Sequence, residues 1–183
     1  MSVRPVRIYG DPVLRQHAAP VTSFDDELRR LIVDLLETMR AYHGVGLAAN
    51  QVGLPQRVAV IDVLLDDGQH ATHTLVNPEI VSRSGSESGE EGCLSIPGIY
   101  DDVTRSLEVR VRAHDEHGRP FELDAEGYLA RAIQHEIDHL DGVLFVDRLS
   151  PLKRQFLRRA LESLARGERP EGYAPPTETG ESI

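Results

Sequence analysis

His135-Glu136-Ile137-Asp138-His139 sets two imidazoles four residues apart, with a carboxylate beside the first. On a helix that spacing projects both rings from one face, one turn apart, where they can grip a single cation. Leu129, Ile133, Ile137 and Leu140 form an adjoining apolar stripe that would bury the helix and turn the rings inward. Glu136 is wrongly placed to share their coordination but well placed to take a proton from a water polarised by the ion. The plainer alternative is two surface histidines with a solvated carboxylate between them. The glutamate and the apolar stripe weigh against it.

A hydrolytic ion needs three protein ligands and an open position. Downstream of the motif nothing suits: position 145 is Phe, no histidine follows His139, and Glu162 lies among arginines. The remaining candidate is upstream, Cys93 in Glu91-Gly92-Cys93-Leu94-Ser95. A lone cysteine is more often a small buried hydrophobe. Cys93, however, sits between a Gly/Ser-rich stretch and Pro97-Gly98, away from any apolar stripe that would claim it. A second glycine-rich segment, Gly44-Val45-Gly46-Leu47-Ala48-Ala49-Asn50-Gln51, lacks the spacing and the lysine of a phosphate loop, which argues against nucleotide binding. Its glycines would let backbone approach a ligand closely. Gln51 can then offer an amide N–H to a developing oxyanion. Taken alone, such a segment is also what an ordinary turn at a helix exit looks like.

These residues need elements to hold them. Leu28, Leu31, Ile32, Leu35, Leu36 and Met39 recur with helical spacing, predicting a helix over 24–42 with Ser23 as its cap, acidic residues in its first turn and Gly44 at its end. Residues 57–63 and 75–81 read as short strands, with Pro78 suggesting an edge or a bulge. Residues 107–113 alternate strictly, and 116–119 turn into 120–123, which predicts a hairpin. The metal-motif helix spans 127–140 and is closed by Gly142. A last helix starts at Ser150-Pro151, with Leu152, Phe156, Leu157, Leu161 and Leu164 as its apolar face. Helix, strands and two further helices make an α+β chain rather than alternating βαβ units.

The chain has 183 residues, enough for one domain, taken as 1–165 with a flexible tail over 166–183 that loses apolar character from Pro170 onward. A net charge of −10 argues against broad nucleic-acid binding, DNA included. No apolar run approaches the roughly 18 residues of a membrane span, and the N-terminus lacks a secretory signal's apolar stretch. A single cysteine excludes an internal disulfide and points to a reducing, cytoplasmic setting. Locally the charge reverses: 150–169 holds six basic and two acidic residues. Read from charge alone, that stretch is a solvated helix face.

Together the Gly44–Gln51, Glu91–Ser95 and His135–His139 segments resemble the three signature motifs of the peptide deformylases, in that family's order and at its approximate separations. The likeness extends from Arg7 to Leu164, through Leu75-Val76-Asn77-Pro78 and Asp147-Arg148-Leu149-Ser150-Pro151. It implies removal of the formyl group from the formyl-methionine of new polypeptides, releasing formate. It implies Cys93, His135 and His139 as ligands, Glu136 as general base and then acid, and Gln51 with the Leu94 N–H as oxyanion hole. Fe²⁺ is the ion it implies, with Zn²⁺, Ni²⁺ or Co²⁺ taking the site in purified protein. Gly44, Val45 and Gly46 would pair with the peptide backbone, and Val45, Tyr128 and Ala132 would receive the methionine side chain. Arg131, where some relatives carry an apolar residue, would alter that pocket. The implied fold is α+β, antiparallel sheets around the histidine-bearing helix, acting as a monomer whose C-terminal helix touches the ribosome. A zinc peptidase with another third ligand, and a non-enzymatic metal protein, are the competing readings. Loss of metal on replacing Cys93 separates the first, and loss of turnover on replacing Glu136 the second.

Overall fold

The computed structural model describes residues 2–64 and 68–176. The first long helix, α1, spans Asp26–Ala41. Its cap is Asp25, not Ser23: the Asp25 carboxylate accepts from the N–H groups of Glu27 and Leu28, at 3.0 and 3.1 Å. An ionised cap gains from the helix dipole as a hydroxyl does not, which moves the start two residues along. At the other end Gly44 N–H donates to Met39 O and His43 N–H to Arg40 O, with His43 in the left-handed region at φ +55°. This is the paired bonding that commonly ends helices, here with the left-handed position taken by histidine rather than glycine.

Five strands form one antiparallel sheet: β1 (Gly46–Ala48), β2 (Val58–Leu64), β3 (His70–Ser84), β6 (Glu108–His114) and β7 (Pro120–Glu126), in the spatial order β1-β2-β3-β6-β7. Val109, Val111 and Ala113 of β6 are buried while their neighbours face out or sit half-covered, as the strict alternation predicts. Pro78 lies in an interior strand and is tolerated because the register slips between Val76 and Glu79. Asn77 occupies the left-handed region there, and its side chain bonds both the N–H and the carbonyl of Val21. Of the two possibilities for Pro78, the bulge is the one realised.

Three strands escaped prediction, β1 in the glycine-rich segment after α1 and two more. β4 (Glu87–Cys93) and β5 (Ile96–Arg105) make a separate antiparallel ribbon from the stretch read as a glycine-rich loop. Its glycines are structural: a Cβ on Gly92 would lie 2.4 Å from the Tyr100 ring, and one on Gly89 3.0 Å from the Arg131 guanidinium. Local propensity is poor here, and tertiary contacts override it.

Helix α2 (Gly127–Leu140) is enclosed by the sheet and the ribbon, with ten of its residues buried. Ile133 and Ile137 pack with Ile61, Val63, Leu75 and Val111 of the sheet. Gly142, at φ +73°, closes it, and a Cβ there would sit 2.6 Å from Arg15 O. Helix α3 (Pro151–Ala165) starts as predicted, with the Ser150 hydroxyl accepting from Lys153 N–H. Its apolar face is narrower than predicted. Leu161 and Leu164 are buried and Leu157 packs beside them, but Leu152 and Phe156 are 62% and 77% exposed. The helix lies at the margin of the core and covers it with its last two turns only.

Candidate metal centre

α2 and the β4–β5 turn bring the separated motifs together. Cys93, at the end of β4, places its Sγ 3.1 Å from His139 Nε2, which lies 3.2 Å from His135 Nε2. The three donor atoms all fall within 4.8 Å of one another. Two bare imidazole nitrogens facing each other and a thiol form a pocket of lone pairs that calls for positive charge. One sulfur and two nitrogens suit a borderline divalent transition metal. The residues therefore fit an ion, and they are the three that the sequence singled out.

The surroundings fix how His135 points. His135 Nδ1 is 3.0 Å from Glu91 Oε2, so a proton on Nδ1 leaves the Nε2 lone pair aimed at the centre. Glu91 is held in turn by Arg105, through bonds of 2.8 Å to each carboxylate oxygen, and by Arg131 at 2.9 Å. Burial pushes the Glu91 carboxyl up, but hydrogen bonds from Arg105 and His135 overcome it and hold the group down at about 2. Arg105 also bonds Asp138, which pairs with Arg148. Burial likewise opposes charge on His135, yet the thiol and Glu91 pull it well above the ordinary value. Burial and the neighbouring His135 push His139 well below.

Glu136 is nearly enclosed, 4% exposed, and its Oε2 has no hydrogen-bond partner among the described residues. Burial raises it to about 7, with the charges of Glu91 and Asp138 adding to the shift and those of His135 and Arg105 opposing it. The carboxylate rests on the backbone of β1, where a Cβ at Gly46 would fall 2.3 Å from Oε1. Close approach to glycine is indeed required, although the group that approaches Gly46 belongs to the protein itself. Gly44 meets the Leu94 side chain in the same way, at 2.8 Å.

Gln51 lies on a single 3₁₀ turn, Ala49–Val52, and is buried. Its Oε1 accepts from Ala48 N–H at 2.9 Å, which orients the amide so that Nε2 faces Ser95 Oγ at 3.1 Å and Cys93 Sγ at 3.6 Å. Neighbouring Asn50 donates to the carbonyl of His139, tying this turn to α2. A cleft of about 720 Å³ is lined by Gly44, Val45, Gly46, Gln51, Cys93, Leu94, Tyr128, Ala132, His135 and Glu136. β1 is an edge strand, hydrogen-bonded to β2 on one side only.

Arg131 also borders the cleft but is committed elsewhere. Besides Glu91 it donates to the carbonyls of Val103, Gly89 and Glu87, at 2.8, 3.2 and 3.0 Å. It clamps the cysteine-bearing ribbon onto the histidine-bearing helix. Glu91, Arg105 and Asp138 were not singled out from sequence. Their partners lie 10 to 44 residues away, beyond what local spacing can reveal. Residues 170–176, placed in the flexible tail by composition, turn back onto the body. Pro170 and Tyr173 are half-buried, and Gly172 to Pro176 border the cleft.

The family model described as Polypeptide deformylase matches residues 3–155. The peptide deformylase of Alkalilimnicola ehrlichii is 55% identical over 166 residues, covering 91% of this chain and 93% of the relative. Among solved structures, a peptide deformylase from Legionella pneumophila aligns with a TM-score of 0.82 at 48% identity, covering 92% of this chain and 99% of that one. A plant peptide deformylase aligns with a TM-score of 0.85 at 35% identity, covering 96% of each.

Proposed function

The chain belongs to the polypeptide deformylase family, and from that membership we propose how its own residues perform the reaction. That reaction is hydrolysis of the N-formyl group from the formyl-methionine of newly made polypeptides, with release of formate. The observation that carries the assignment is the convergence of Cys93 Sγ, His135 Nε2 and His139 Nε2 beside the buried, half-unpartnered carboxylate of Glu136.

Cys93, His135 and His139 would hold a divalent ion, which would supply Lewis acidity toward a water and the formyl oxygen. Glu136 orients that water and accepts its proton at Oε2, then returns the proton to the departing amine, which cannot leave unprotonated. Gln51 has two amide hydrogens, one on Ser95 Oγ and one toward Cys93 Sγ, the longer contact of the two and the one to be given up to a substrate. That second hydrogen, with the Leu94 N–H, steadies the carbonyl oxygen as negative charge grows, each such donor contributing about 3 kcal/mol. The free edge of β1, with Gly44, Val45 and Gly46, takes the peptide backbone as an added strand. Val45, Tyr128 and Ala132 border the space for the methionine side chain.

We infer Fe²⁺ as the working ion. Intrinsic affinity favours Zn²⁺, Ni²⁺ or Co²⁺ at such a site, so supply decides which is loaded. The chain works in the cytoplasm as a monomer. The cations of α3, with Leu152 and Phe156 exposed among them, give it a surface for ribosomal RNA. Deleting α3 would strip Leu161 and Leu164 from the core, so charge reversal at Arg154 and Arg158 is the cleaner test. Unchanged co-sedimentation with ribosomes at low salt would remove that contact. For the activity itself the test is formate release from formyl-Met-Ala-Ser by anaerobically purified protein, with elemental analysis of the same sample. Metal-replete protein releasing no formate would overturn the reading.

A further inference from the structure

Beyond α3 the chain folds back across its own cleft. Pro170 seats against β5, so closely that a Cβ on Gly98 would lie 2.9 Å from its Cγ. A turn follows, with Gly172 at φ +80° and Tyr173 N–H donating to Pro170 O at 3.1 Å. The Tyr173 ring packs, half-buried, against the core cluster that contains Ile96 and Ile99. From there Gly172 to Pro176 border the same cleft that holds Glu136 and His135. The segment bounds this space without filling it, since about 720 Å³ is left open with 170–176 in place. It also lies beyond the stretch, 3–155, that the family model matches.

A second observation concerns the rim. Of the chain's five tyrosines, four line this one cleft: Tyr42, Tyr100, Tyr128 and Tyr173. Tyrosine offers a large amphipathic surface at a small cost in side-chain freedom, which suits contact with varied peptide side chains. Gly44 to Gly46 line the cleft along with Glu136, so a backbone laid on β1 with its formyl group near Glu136 carries later residues outward to that rim.

We propose that residues 170–176 form the outer wall of the substrate cleft, and that Tyr173 is a specificity-determining residue packing on the third and later residues of the formyl peptide. The proposal rests on the deformylase reading above. It commits the wall to apolar peptide side chains, because the ring already packs on the apolar cluster that contains Ile96 and Ile99.

The test compares formyl-Met-Ala with formyl-Met-Ala-Leu-Leu, using the parent chain, a chain ending at Arg169 and Tyr173→Ala. Both variants should raise KM for the tetrapeptide roughly five-fold with kcat held, and erode the preference for tetrapeptide over dipeptide by the same factor. An equal change on both peptides, or no change on either, overturns the proposal. A fall in KM on truncation does so too, because it would make the segment a plug. A parent chain that releases formate from neither peptide would instead sink the deformylase reading, so the two failures are distinguishable.

Discussion

Helices α2 and α3 are of nearly equal length, 14 and 15 residues, and handle charge in opposite ways. α2 buries Arg131, Glu136, Asp138 and His139, and two of these meet an ionic partner from another element: Arg131 pairs with Glu91, and Asp138 with Arg105 and Arg148. α3 carries its arginines in solvent and even leaves Phe156 exposed. A buried charge costs several kcal/mol unless it is paired and hydrogen-bonded, so Arg131 and Asp138 dictate the position of the elements that answer them. Apart from Lys153, which pairs with Asp101 of β5, the cations of α3 reach no other element in an ion pair among the described residues and remain available to a partner. Within α2, His139 Nδ1 and Glu136 Oε2 break the pattern, buried without a partner among the described residues, and Glu136 is the one carboxylate on the helix so left. Such an unmet requirement marks a functional group.

The comparison is broken most severely at that group. Glu136→Gln keeps the shape and removes the base; turnover should fall by about 10²–10⁴-fold while metal content stays at the parental level. Formate release at the parental rate would return Glu136 to the ranks of buried structural carboxylates. Cys93→Ser should act differently, losing bound metal and activity together, as measured by elemental analysis beside the formate assay. Full metal retention in Cys93→Ser would mean that some other residue completes the ligand set.

The paired charges come next. Glu91→Gln leaves Arg105 and Arg131 buried with one anionic partner fewer, and His135 with a weaker acceptor. Removing one partner from a buried ionic group typically costs about 3–5 kcal/mol, and loss of a hydrogen bond behind a metal-binding histidine about 10–100-fold in metal affinity. Denaturant unfolding of the metal-free variant and a competitive chelator titration read the two effects separately. A change below 1 kcal/mol with unaltered affinity would reduce the network to solvated surface pairs, contrary to its burial.

How much of this was legible beforehand follows from the range of the interactions involved. The helical stripes of α1 and α2, the alternation of β6 and the Ser150-Pro151 start of α3 are local patterns, and they stand in the structure close to where periodicity puts them. His135 and His139 share a helix, so four residues of spacing suffice to pair them. Cys93 could only be nominated by its setting, because 41 residues stand between it and His135 and only the fold closes that gap. The β4–β5 ribbon could not be read at all. Glu87-Ser88-Gly89-Glu90-Glu91-Gly92-Cys93 has no strand-forming character, and it becomes a strand because Arg131 and the Tyr100 ring lie where only glycine leaves room. Leu152 and Phe156 failed in the other direction. The spacing was apolar and helical, but the core ends before it reaches them.

The smallest effect is expected where α3 meets the body. Lys153 pairs there with Asp101 of β5, an ion pair whose cation is 40% exposed. The Lys153 hydrogen bond holds the Asp101 carboxyl below its ordinary value near 3.8. A depressed carboxyl stabilises the fold above its unfolded value, and that contribution fades as pH falls through the lower folded one. Asp101→Asn should therefore cost no more than about 1 kcal/mol near neutrality, the range of exposed pairs. The difference from the parent should shrink as pH drops below about 4 and should weaken with added salt. Thermal unfolding of both chains across that pH range checks it. A loss of several kcal/mol that persists into acid would show α3 to be anchored like α2, and the contrast between the two helices would fail.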